Sequence, residues 1–139
     1  MLWEHTAVID APTDVVWRLT TDVADWPTFM PTVQRVHRLD SGPLHLGSAA
    51  RLKQPGQLPA VWTVTRLEPM REFTWQTRRM GLTMTGSHVL EPAGSGCRNT
   101  LGVELTGRGS RWLGALVGPL IRKTIRDENA AFERAARKA

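Results

Sequence analysis

The stretch from Ser110 to Ala139 constrains the chain more than any other. At about 3.6 residues per turn, SRWLGALVGPLIRKTIRDENAAFERAARKA predicts one long amphipathic helix. Leu113, Leu116, Val117, Leu120, Ile121, Ala131, Phe132 and Ala135 share one broad apolar stripe, and Arg122, Lys123, Arg126, Glu133, Arg134 and Arg137 fall opposite. No earlier part of the chain offers a helix of comparable length. A stripe this wide needs an apolar partner of similar extent, so the preceding hundred or so residues must supply a sheet. Thr124 and Glu128, one turn apart, interrupt the stripe. The buried face therefore lines something other than plain core. Gly118-Pro119 also falls inside it; a proline there removes a backbone hydrogen bond and costs about 3 kcal/mol if uncompensated. The stripe keeps its phase across the proline, which predicts a kink. A break at Val117 with a new helix from Pro119 is the alternative.

The rest of the chain reads as that sheet. Leu2 to Asp10 alternates as a strand, with Trp3, His5, Ala7 and Ile9 on one side. Pro12 suits the first position of a short helix carrying Val15, Val16 and Leu19, broken at Thr20-Thr21-Asp22. Val23 to Trp26 forms a turn or second short helix, and Pro27 and Pro31 stiffen a connection presenting Phe29 and Met30. Strands follow at Val33–Leu39, Gly47–Gln54, Ala60–Leu67, Glu72–Arg79, Leu82–Leu90 and Cys97–Thr106, with residues 91–96 as a hairpin loop and Ser110 as the cap of the last helix. The pattern predicts one α+β domain over residues 1–139, without repeats or low-complexity segments.

Composition narrows the class. Hydrophobic residues at 41% and charged residues at 22% fit a globular chain with a real core. No apolar run approaches the roughly 20 residues that cross a membrane, so stable membrane insertion is not expected. The single Cys97 excludes an intramolecular disulfide and a cysteine metal cluster, and a reducing cytoplasm is the plain reading. Of the net charge of +5, the segment from Ser110 carries most, with seven Lys/Arg against three Asp/Glu. A solvated helix face explains this, with contact to an acidic partner or anionic membrane as the alternative. No nucleic-acid motif accompanies the charge.

Family likeness enters at the N-terminus. Ile9-Asp10-Ala11-Pro12, Val15-Val16-Trp17, Asp22, Trp26-Pro27 and Pro31 resemble the opening of the START-like (SRPBCC) superfamily. Within it they are most similar to the bacterial polyketide cyclase/dehydrase and lipid-transport group. The likeness continues through Gly47, Trp62-Thr63-Val64, Glu68-Pro69, Phe73-Thr74-Trp75 and His88. It implies a helix-grip fold: a curved antiparallel sheet of about seven strands around the C-terminal helix, two short helices after the first strand, and an apolar cavity. It also implies a small hydrophobic or amphipathic partner, lipid-, polyketide- or quinone-like. A cyclase/dehydratase and a protein-interaction or co-chaperone module are the alternatives.

Candidate site residues follow from type and phase. Phe29, Met30, Trp62, Phe73, Trp75, Met84, Leu101, Val103 and Leu120 are the expected wall, although core packing explains their types equally well. His88 lies in phase with Met84 and Leu90, so it is either a core histidine or a ligand contact. Glu128 either anchors a ligand, with Thr124, and serves as a base of raised pKa, or pairs with a neighbouring arginine. Glu128 and His88 are the catalytic candidates. The chain has no tyrosine, hence no phenolic acid. His5, His37, His45 and His88 lack ligand-like spacing, and neither a phosphate loop nor a nucleophile motif is present, so no metal or cofactor is expected.

Overall fold

The computed structural model describes all 139 residues. Strand β1 (Leu2–Ile9) leads into helix α1 (Thr13–Thr21) and a 3₁₀ helix (Val23–Thr28). Six strands follow: β2 (Arg35–Arg38), β3 (Ala49–Lys53), β4 (Ala60–Glu68), β5 (Glu72–Arg79), β6 (Leu82–Ala93) and β7 (Gly96–Gly107). Helix α2 (Ser110–Lys138) closes the chain. All neighbouring strands are antiparallel, in the order β1-β7-β6-β5-β4-β3-β2. The two short helices carry the chain from one sheet edge to the other. The curved sheet grips α2, which packs on β1 and β7.

The core lies between sheet and helix. Trp26, on the 3₁₀ helix, is its hub: its ring stands 5.4 Å from Trp75, 5.5 Å from His88 and 6.3 Å from Phe132. Its indole N–H donates to Leu19 O at 3.1 Å, so the polar edge is satisfied while the ring is buried. Two fully buried asparagines tie α2 to the far end of the sheet. Asn99 Nδ2 donates to Asn129 Oδ1 at 2.9 Å, and Asn129 Nδ2 donates to His5 Nδ1 at 2.9 Å.

The structure corrects several expectations. Pro12 is the cap ahead of α1, with extended φ/ψ, and α1 runs through Thr21, the Thr20 and Thr21 hydroxyls being satisfied within the helix by Val16 O and Trp17 O instead of breaking it. The strands expected at Val33–Leu39 and Gly47–Gln54 are shorter. Residues 91–96 are not a loop: β6 continues to Ala93 and β7 begins at Gly96, so only Gly94-Ser95 turn. Ser110 is already helical, and its predecessor Gly109 takes the capping position in a left-handed conformation. Helix α2 passes through Pro119 unbroken, which excludes the two-helix alternative.

The stripe on α2 is also centred differently. Gly114, Gly118, Ile121, Ile125, Asn129, Phe132 and Ala136 are buried, whereas Leu116 and Leu120 are 67% and 60% exposed. A Cβ at Gly118 would stand 3.2 Å from Trp3 Nε1, and one at Gly114 would meet Met1 and Trp3. The two glycines form the notch into which Trp3 fits. The helix is thereby rotated onto its smallest residues.

Candidate functional site

On the concave side, β6 presents Met84, Gly86, His88 and Leu90 in alternation, as the pleat requires. Gly86 contributes no side chain between the two tryptophans of β4 and β5. A Cβ there would stand 3.6 Å from both Trp62 and Trp75. The space that a larger residue would fill stays open, and Thr124 and Glu128 of α2 line the same space. The result is a cavity of about 370 Å³ lined by 22 residues, 13 of them hydrophobic. That volume falls near the lower end of small-molecule sites, about 300–1,000 Å³.

Of the expected wall, Trp62, Trp75, Met84, His88, Leu101, Val103, Leu120, Thr124 and Glu128 line the cavity. Phe29, Met30 and Phe73 do not. Met30 and Phe73 are fully buried in the core, and Phe29 packs on Phe132 at 5.7 Å. These three support the aromatic layer behind the cavity. Sequence reasoning missed Trp26, Leu52 and Ile125, as well as Gln54, Gly56 and Gln57 of the β3–β4 loop. The Pro55-Gly56 break marks a turn but carries no signal that the turn folds over a cavity. Ile125 was recoverable, since it lies one turn beyond Ile121.

Three polar groups on the wall are informative. His88 stacks on Phe73 at 5.4 Å and 13°, meets Phe132 edge-on, and is 5% exposed. Burial among aromatic rings lowers its pKa to about 4, so the imidazole is neutral at physiological pH, and its Nδ1 has no partner within the protein. The Trp62 indole N–H is likewise shielded and unpartnered. Each such atom costs roughly 1–3 kcal/mol when left unsatisfied.

Glu128 is the third group. Its Oε1 accepts from the Thr32 hydroxyl at 3.1 Å, across 96 residues of sequence, and no arginine pairs with it. Part of the side chain stays accessible, but the surrounding protein raises its pKa to about 7; the Thr32 hydrogen bond offsets this only in part. Glu128 can therefore give or take a proton near neutrality on the cavity wall. No three His, Cys, Asp or Glu side chains converge as a metal site.

Residues 3–138 match the family described as "Polyketide cyclase / dehydrase and lipid transport". Solved structures agree on the fold. The Zhui aromatase/cyclase from Streptomyces sp. R1128 superposes with a TM-score of 0.74 at 23% identity, over 99% of this chain and 94% of that one. A START superfamily protein from Mycobacterium smegmatis gives 0.78 at 13%, over 99% and 97%. Norcoclaurine synthase from Thalictrum flavum, in complex with dopamine and hydroxybenzaldehyde, gives 0.75 at 15%, over 96% and 84%. A search of curated proteins found no sequence match.

Proposed function

The chain belongs to the polyketide cyclase/dehydrase and lipid-transport family, and from that premise we propose that it binds a small amphipathic molecule between its sheet and α2. The observation that carries the reading is a mainly apolar cavity, walled by Trp62, Trp75, Met84 and Leu101, that Thr124 and Glu128 of α2 also line. An apolar body supplies most of the affinity through burial. A hydroxyl or similar polar end on the ligand meets Thr124 and Glu128. Strongly charged ligands are disfavoured, because the wall carries a neutral imidazole and a carboxyl that burial pushes toward its neutral form.

The test is saturable one-to-one binding of an apolar fluorescent probe such as N-phenyl-1-naphthylamine, together with native mass spectrometry of the protein purified from its own host. Gly86→Leu fills the space between Trp62 and Trp75. It is expected to reduce probe affinity at least tenfold while the far-UV circular dichroism stays native. Unchanged affinity in that variant would place the probe elsewhere and end the reading.

A second reading rests on Glu128. A carboxyl titrating at about 7 beside an enclosed cavity suits proton transfer during an aldol-type cyclisation or a dehydration. Two of the structural neighbours are enzymes by name. Turnover of a synthetic poly-β-ketone, abolished in Glu128→Gln with probe binding retained, would favour catalysis over carriage. Absence of turnover in the wild-type chain leaves carriage as the function.

A further inference from the structure

Three neighbouring segments, two of them on the cavity wall, expose large apolar side chains. Helix α2 presents Trp112, Leu116 and Leu120, which are 75%, 67% and 60% exposed. Met80, in the β5–β6 turn, is 92% exposed, and Leu58, in the β3–β4 loop, is 73% exposed. The segments touch one another. Arg79 donates to Pro59 O at 2.8 Å, which joins the turn to the loop. Gly107, just ahead of α2, packs on Gly81 so closely that no Cβ fits. The loop and the helix both contribute to the cavity wall.

Met80 breaks a local rule. It takes φ +53 beside Gly81 at φ +79, where a two-residue hairpin turn favours asparagine or glycine. A bulky apolar side chain is thus held outward in a conformation such residues seldom adopt. Around α2, at about 100° per residue, the surface changes in a fixed order. The core face (Ile125, Gly118) gives way to the cavity face (Val117, Thr124), then to the exposed stripe, which also carries Lys123, then to a cationic flank of Arg126 and Arg122.

Charge completes the picture. Residues 54–59, 76–83 and 106–126 contain seven of the 18 Lys/Arg and none of the 13 Asp/Glu. The remaining sequence holds eleven cations against thirteen carboxylates, so the positive charge of the chain belongs to this rim. Among the seven, only Lys123 has an ion-pair partner, Asp127, at the far end of the stripe. No helix is long and apolar enough to cross a membrane.

We propose that this rim docks on an anionic lipid bilayer, with Trp112, Met80 and Leu58 seated among the headgroups and the unpaired arginines on lipid phosphates. An exposed tryptophan beside cations is the composition of a membrane interface, and a solvated face does not need the apolar half. An acidic protein or a second copy of the chain would also bury apolar surface. The mix of exposed tryptophan, methionine and leucine with unpaired arginines, spread over three segments with no carboxylate, fits a fluid anionic surface best. Docked in this way, the cavity opens at the bilayer surface, from which an apolar ligand can enter without crossing water.

The experiment is flotation of the full chain with vesicles of phosphatidylcholine alone and of phosphatidylcholine with 30% phosphatidylglycerol. Trp112 is the one exposed tryptophan, so a blue shift in emission reports its insertion. Binding is expected only to the anionic vesicles and should weaken steeply with added salt. Trp112→Ser with Met80→Ser should reduce it at least tenfold, and Arg111→Glu by at least about fivefold. These positions are exposed, and circular dichroism verifies that the variants stay folded. Gly86→Leu should bind vesicles as the wild type does, so failure of the ligand reading and failure of docking are separable. Three results overturn the proposal: no binding to anionic vesicles, binding indifferent to the Trp112/Met80 pair, or a dimer in solution that Leu116→Ser dissolves.

Discussion

Replacing Glu128 with Gln tests the electrostatics of the cavity in one step. The folded carboxyl titrates at about 7 and the unfolded one at 4.5. Its folded pKa is raised, so the native state holds the proton more tightly than the unfolded state. Stability from this group is fully present below pH 4.5, falls as pH rises to about 7, and changes no further above it. Full ionisation would cost up to about 3 kcal/mol, and the partial exposure of the side chain trims that to about 2 kcal/mol. Gln cannot ionise, yet its Oε1 still accepts from Thr32. For 139 residues, an unfolding entropy of about 2.1 cal/mol/K per residue makes 1 kcal/mol worth about 3 °C. The variant should therefore match the wild type at pH 4 and melt roughly 7 °C higher at pH 8. The comparison must be a difference, because His88 acts in the opposite sense. Its folded pKa is depressed from 6.5 to about 4, so its contribution is lost as pH falls through that range. In the wild type the two slopes largely offset each other between pH 4.5 and 6.5, and only the subtraction isolates Glu128. Thermal unfolding by circular dichroism from pH 4 to 8.5 reads both curves. A gap that stays constant across that range, or a variant less stable at pH 8, would show that Glu128 is not held in a desolvated site.

Much of this architecture is legible in the sequence, and each failure has a local cause. β5 is recovered at both ends because a run rich in β-branched and aromatic residues is bounded by turn chemistry on each side. The β6–β7 hairpin misleads because Glu91-Pro92-Ala93 has the composition of a loop. Its pairing with β5 ends at Glu72–Val89, whereas its pairing with β7 runs on to Ala93–Gly96. Leu90 N donates toward the β5 side, to Arg71 O, so the missing N–H of Pro92, two residues on, faces the side where β5 has ended. On α2, periodicity weights large aliphatic residues and overlooks glycine. The seam is set instead by the notch at Gly114 and Gly118, which exists only because Trp3 arrives from the other end of the chain. The site divides in the same way. Thr124, Glu128 and His88 are found because each breaks an apolar pattern within its own element. Thr32 reaches Glu128, and the Gln54–Gln57 loop reaches the cavity, only through contacts distant in sequence, which leave no local trace.

His88→Phe should keep the stack on Phe73 while removing the group that must stay neutral. Its stability relative to the wild type should rise by about 2–3 kcal/mol as pH falls from 6.5 to 4, read from urea midpoints; a flat difference would mean that His88 protonates freely in the fold. The asparagine pair makes a stronger demand. Asn129→Ala removes the acceptor for Asn99 Nδ2 and the donor to His5 Nδ1, His5 O and Asn99 O. Asn99 Oδ1 already lacks a partner, so the truncation leaves a fully buried amide with neither end satisfied. The loss should be about 3 kcal/mol, measured by urea unfolding. Adding Asn99→Ala removes the stranded group along with its burial cost. If the two act as one unit clamping α2 to β7, the double variant should be no less stable than Asn129→Ala alone. Simple additivity of the two single losses would show instead that each asparagine is held by its own surroundings, and that α2 is fixed by the Trp3 notch rather than by the amide pair.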